Sequence, residues 1–415
     1  MSTDRMENCG PNKGRSGMAG EPFMIYVHVP FCPRKCGYCD FYSGPADETA
    51  VRKYFEDLRE EIRENPFARP VSTGDGERRL RVSSVFIGGG TPSYVPAEEI
   101  ASILELLRDR FEILPDAEIT MEANPGSLTA EKCRTYREAG VNRLSLGLQS
   151  ANDRILRKIG RIHDYQGFLE SWQLAKDTGF TKLNVDLISG LPGDTLENFE
   201  KGLLKVLALD PGHISVYSLI IAENTPFYSL YGPSGPRKEE LPDEETERAM
   251  YERTEAILSR AGYRHYEISN YAKPGHECRH NIGYWTHVPY LGFGAAAASF
   301  VPGETDGLML RYKNVSGLAY LSCAYEEQER LTEEDLMREY MILKLRMTEG
   351  VNDAEFRTRF GRSLKEAFPD EIRKNISAGL LESFQSASRD EAGNFGIRLT
   401  KKGLDLANLV FEDFI

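Results

Sequence analysis

Residues 24–39 read MIYVHVPFCPRKCGYC, an apolar, β-branched run that passes straight into a loop holding Cys32, Cys36 and Cys39. Met24–Val29 has the make-up of a buried strand, and the cysteine loop follows its C-terminal end. Similar runs recur downstream at Val82–Ile87, Ala117–Glu122, Arg143–Gly147, Lys182–Ile188 and His213–Leu219. Amphipathic stretches lie between them at Ala97–Arg110, Ala130–Ala139, Tyr165–Thr178 and Leu196–Ala208. Strands separated by helices predict an α/β fold of parallel βαβ units. Right-handed crossovers wind such units into a full or partial (β/α)6 barrel, with chemistry at the C-terminal ends of the strands. The conspicuous polar, Gly and Cys segments sit there: Pro30–Cys39, Gly88–Ser93, Ala123–Ser127, Gln149–Asn152 and Ser189–Gly193.

The chain has 415 residues, room for one large and one small domain at roughly 100–200 residues each. Residues 1–22, rich in Gly, Ser, Asn and charge, read as a disordered tail. The barrel spans 23–300 and a linker 301–330. Residues 331–415 then suggest a small winged-helix-like α+β domain. It opens with a helix over 331–349, in which Thr332 is the N-cap and Asp335 completes a capping box. A hairpin over Leu381–Leu399, with turn signals at Glu391–Asn394, and a last helix complete it. The formal charge of −13 argues against a nucleic-acid partner. No apolar run reaches the roughly 20 residues of a membrane span, so at most peripheral membrane contact is expected. The start lacks the apolar centre of a secretory signal, and a cytoplasmic location is expected.

Seven cysteines, an odd number, make a poor disulfide framework, and three of them fall within eight residues. The C-x3-C-x2-C spacing lets Cys32, Cys36 and Cys39 hold three corners of a 4Fe-4S cluster. The fourth iron is left open, a place where the amino and carboxylate groups of S-adenosylmethionine can bind. The competing reading is a structural zinc site, which needs a fourth protein ligand; His28 is the obvious local one.

The stretch from Tyr26 through Cys32 to Phe41 resembles the opening of the oxygen-independent coproporphyrinogen oxidase group of the radical S-adenosylmethionine superfamily. The likeness continues through Gly88-Gly-Gly-Thr-Pro92, Glu122-Ala-Asn-Pro125, Leu146-Gly-Leu-Gln149, Asp186-Leu-Ile-Ser-Gly-Leu-Pro192 and His280-Asn-Ile-Gly-Tyr-Trp285. The resemblance implies S-adenosylmethionine contacts at Tyr26, Tyr38, Gly89, Gly90, Thr91, Glu122, Gln149, Arg161 and Asp186, and an electron donor for the cluster. It assigns no catalytic residue.

Within that group the decarboxylases carry a further Cys two residues after the third ligand, where this chain has Phe41. They also carry a longer segment before the cluster. Both departures resemble the HemW subgroup, the haem chaperones. That subgroup has an H-N-x-x-Y-W signature associated with haem, matched here by His280, Asn281, Tyr284 and Trp285. Imidazole is a common axial haem ligand, and the two aromatics offer flat area to a macrocycle. The alternative is a hydrogen-bonded loop with Trp285 in the core. Cys278 reads either as a soft haem ligand or as an inert thiol. Three functions follow: a haem chaperone delivering cargo to a haem-receiving protein, a coproporphyrinogen III decarboxylase, or another tetrapyrrole radical enzyme such as a haem-degrading methyltransferase.

Overall fold

The computed structural model describes residues 22–73, 76–303, 308–317, 325–385 and 395–415. The tail expected over 1–22 (Pro22 apart) and the turn at Glu391–Asn394 lie outside these residues. Six parallel strands form the heart of the fold: β1 (Phe23–Val29), β2 (Arg81–Gly89), β3 (Glu112–Ala123), β4 (Arg143–Gln149), β5 (Lys182–Ser189) and β6 (His213–Ser218). They pair in sequence order, each parallel to the next. The expected strands therefore form where the sequence puts them, in a partial barrel that does not close.

The crossover helices α1 (Glu48–Glu64), α2 (Ala97–Arg110), α3 (Ala130–Glu138), α4 (Asp153–Lys158), α5 (Tyr165–Asp177) and α6 (Leu196–Leu207) connect these strands. In α2 the buried residues Ile100, Ile103, Leu104 and Leu107 recur at three- and four-residue spacing, so one stripe faces the sheet. Thr129, Asp164 and Thr195 cap α3, α5 and α6 by accepting backbone N–H bonds, each worth about 1 kcal/mol. The outer face of the sheet and the helices share one large apolar core that includes Val85, Leu104, Met121, Leu146, Phe168 and Leu203.

The sheet extends past both ends of the parallel series. β7 (Arg264–Glu267) and β8 (Asn270–Ala272) add an antiparallel edge beyond β6. On the other side β9 (Tyr290–Phe293) lies parallel to β1. Antiparallel strands β10 (Ala298–Pro302), β11 (Met309–Asn314) and β12 (Tyr325–Leu331) follow it. Residues 301–330, read from sequence as a linker, thus carry most of a meander. Its outer strand, YEEQERL, is exposed and charged along nearly its whole length. That suits a protected sheet edge but hides the apolar alternation that marks a strand.

The C-terminal part has its own core, with Met341, Leu345, Phe356, Leu364, Ile397 and Phe414 at its centre. Helix Glu333–Lys344 carries the capping box of Thr332 and Asp335. It stops five residues short of the expected 349; a turn follows, and Gly350, at φ 76°, leads the chain into strand Val351–Asn352. Strands Leu381–Gln385 and Phe395–Leu399 pair antiparallel as the expected hairpin, and Val351–Asn352 joins its second strand. Two short helices, Lys401–Asp405 and Ala407–Glu412, replace the single last helix. Arg311 on β11 grips Glu339 on helix Glu333–Lys344 with two bonds of 2.7 and 2.6 Å, fastening this part to the sheet. Among the described residues, no helix is long and apolar enough to cross a membrane.

Candidate cluster and cofactor cavity

A cavity of about 370 Å³ opens at the C-terminal ends of the parallel strands. Cys32, Cys36 and Cys39 form part of its wall, opposite residues from β2 to β6. The cysteine loop is held by backbone bonds. Cys32 donates its N–H to Gly44 O (3.0 Å), and Gly90 and Thr91 donate to Val29 O (2.9 Å) and Phe31 O (2.7 Å). Gly90 is required by crowding: a Cβ there would stand 2.8 Å from the backbone oxygen of Phe31 and 2.9 Å from that of Val29.

A polar chain links two of the cysteines. The Cys32 thiol and the Thr91 hydroxyl share a hydrogen bond of 3.2 Å, and Asn124 Nδ2 donates to that hydroxyl at 2.7 Å. Arg161 Nη2 donates to Asn124 Oδ1 (2.7 Å) and Gly147 O (2.6 Å), while Nη1 donates to Cys36 Sγ at 3.7 Å. Arg161 Nε is buried without a partner. Burial pushes the Cys32 and Cys39 thiols up, so they need a metal or a cation to become thiolates.

Below this layer, Asp186 accepts from Ser145 Oγ and from Asn184 Nδ2, both at 2.7 Å. Glu122 accepts from Gly89 N at 3.1 Å. Burial raises the Glu122 carboxyl to about 7, helped by the negative charge of Asp186. Gln149 ends β4 at φ 69° and lines the cavity. Eleven of the twelve expected cluster and cofactor residues therefore line one space. The exception is Tyr26, which is absent from the lining and shares a 3.0 Å hydrogen bond with His28 Nδ1.

His28 also engages Tyr42 O through Nε2 at 2.8 Å, so both its nitrogens are committed, and it is a poor fourth ligand for zinc. Among the described residues no three His, Cys, Asp or Glu side chains converge as they would on a single metal ion. A cubane cluster instead takes its thiolates at separate corners. Three thiols with an open side, a glycine cradle and half-buried Arg161, Glu122 and Asp186 fit such a cluster with an amino-acid nucleoside beside it.

The haem motif is placed differently from expectation. His280 lies on the short helix Arg279–Trp285 and is 1% exposed. Its Nδ1 bonds Ser84 Oγ (2.9 Å) and its Nε2 bonds Tyr284 OH (3.1 Å). Burial and the charge of Arg143 lower it to about 3, so it stays neutral. Neither nitrogen is available to iron in this conformation. Of the motif only Asn281 lines the cavity. Trp285 packs in a separate small cluster with Tyr266 and Met347, under the Arg346 guanidinium at 4.4 Å. Cys278 is buried beside Glu118, and its thiol is raised to about 12, the inert alternative.

Sequence reading missed Asn124, Arg143, Ser145, Asn184 and Tyr217 on the cavity wall. A signal was present: Arg143, Ser145, Gly147 and Gln149 alternate along β4, so the polar face of that strand points inward.

Comparison with known proteins agrees with this geometry. The profile of the Radical SAM superfamily matches residues 26–204, and that of the HemN C-terminal domain matches 331–389. "Heme chaperone HemW" of Bacillus subtilis (strain 168) is 36% identical over 394 residues, covering 94% of this chain and 98% of that protein. The protein of that name from Escherichia coli (strain K12) is 35% identical over 396 residues, covering 95% and 98%. The solved coproporphyrinogen III oxidase (HemN) of Escherichia coli superposes with a TM-score of 0.77 at 24% identity, over 95% of this chain and 90% of that one, which establishes the fold. The chain belongs to the radical SAM superfamily and, within it, to the HemW family.

Proposed function

We propose that this protein is a haem chaperone: it binds haem as cargo and hands it to a recipient haem protein. In this reading Cys32, Cys36 and Cys39 hold a 4Fe-4S cluster, with S-adenosylmethionine beside it. The observation that carries the cofactor half is the connected chain from Cys32 through Thr91, Asn124 and Arg161 to Cys36. The cargo half is supported by the name of the relatives, each matched over nearly its whole length.

When bound, the reduced cluster supplies an electron that cleaves the sulfonium C–S bond. The residues around it have separable tasks. Arg161 offers a cation beside Cys36, and its unpartnered Nε suits a carboxylate. The backbone of Gly89 and Gly90 permits close approach of the amino-acid end. Asp186, oriented by Ser145 and Asn184, suits ribose hydroxyls, and Glu122 suits an amine. Gln149 and Tyr38 complete the wall. A cluster held by Cys32, Cys36 and Cys39 would take its electron from an external donor. The test is an anaerobic titration of the full-length protein with haem, followed by mixing with an apo-haem protein. Saturable binding and transfer are expected. A protein that takes up no haem would overturn the reading.

A further inference from the structure

Ten large apolar side chains are exposed among the described residues, and three of them border the cluster cavity. These are Phe41 (64% exposed), Tyr217 (41%) and Ile220 (77%). Phe41 lies just past the cysteine loop after β1, and Tyr217 and Ile220 lie at the end of β6. They therefore reach the mouth from the first and last strands of the parallel series. Exposed single apolar residues are ordinary, but a group at one cavity mouth marks a ligand surface.

The charge at this mouth is also distinctive. Arg34 and Lys35 are exposed on the same loop and border the same cavity, with Asp40 next to them on that loop and Glu122 and Asp186 elsewhere in the lining. Lys35 Nζ donates to Phe41 O at 2.9 Å, which ties a cation to the apolar patch. In a chain of net charge −13, two cations next to an apolar patch fit a flat apolar molecule with two carboxylates. A protein partner fits less well, since a standard interface uses about 20–30 residues a side.

We infer that Phe41, Tyr217 and Ile220 form the docking rim for haem, with Arg34 and Lys35 meeting its two propionates. This rests on the haem-chaperone reading above and replaces His280 as the place where haem meets the chain. The macrocycle lies across the mouth, over the cavity that holds the cluster cysteines.

The test uses the full-length, cluster-loaded protein, titrated with haem without oxygen and followed at the Soret band. The Phe41→Ser/Ile220→Ser double variant loses about tenfold or more in haem affinity, as expected for two lost apolar contacts, while its cluster absorbance matches the parent. Phe41→Trp keeps binding. Arg34→Gln/Lys35→Gln weakens binding of haem but not of haem dimethyl ester, which lacks the carboxylates. If the parent binds haem and the double variant binds it equally well, the rim is wrong. The same holds if the double variant loses only self-association. If the parent itself takes up no haem, the chaperone reading fails instead.

Discussion

Arg161 Nη1 stands 3.7 Å from the Cys36 thiol while Nη2 holds both Asn124 Oδ1 and Gly147 O. One half-buried guanidinium thus joins the cysteine loop after β1 to the ends of β3 and β4. Arg161→Lys keeps a charge but loses the fork. S-adenosylmethionine affinity should fall roughly tenfold to a hundredfold, from a loss of about 1.5–3 kcal/mol. Equilibrium binding on anaerobic protein measures it. Unchanged affinity with an intact cluster would remove Arg161 from the cofactor site.

Glu122 sets a pH dependence. Its folded carboxyl is raised to about 7 from an ordinary 4.5. Between these values the unfolded chain has released a proton that the folded chain still holds, so this group's contribution to stability falls as pH rises from about 4.5 to 7. Glu122→Gln removes that loss. The variant should be more stable than the parent above pH 7, by up to about 3 kcal/mol, with the difference closing toward pH 4.5. Denaturant unfolding across that range checks the sign, and a variant that gains stability only at acid pH would refute it.

Coproporphyrinogen III should not be decarboxylated efficiently. Phe41 stands where the decarboxylases have a cysteine, and its ring is exposed at the mouth. Product analysis under reducing, anaerobic conditions tests this, and clear protoporphyrinogen formation would favour the enzyme reading.

His280→Ala should cost about 2–4 kcal/mol of stability, since it strands Ser84 Oγ and Tyr284 OH and opens space against Phe86. The haem Soret position should stay where it is in the parent. A shifted Soret band would return the histidine to the role its motif suggested.

The barrel was legible because each strand is a short apolar run and the stretches between the runs are amphipathic. Gly88–Gly90, Glu122 and Asp186 were legible for a related reason: they follow or close such runs. Arg143 was not, because it starts its strand, and only the inward alternation of β4 carries it to the cavity. The partners of His280 were not legible, because a motif gives the residue and not what it bonds. Ser84, which fills one of its nitrogens, is 196 positions away in the chain. The meander at 301–330 escaped because a charged edge strand looks like a loop in sequence.

The assignments above all hang on a 4Fe-4S cluster on Cys32, Cys36 and Cys39, and metal analysis of protein purified without oxygen reads it out. Brown protein with about four irons per chain is expected, with loss of both colour and iron when the three cysteines are replaced together by Ala. Stoichiometric zinc with no iron in the parent protein would contradict it.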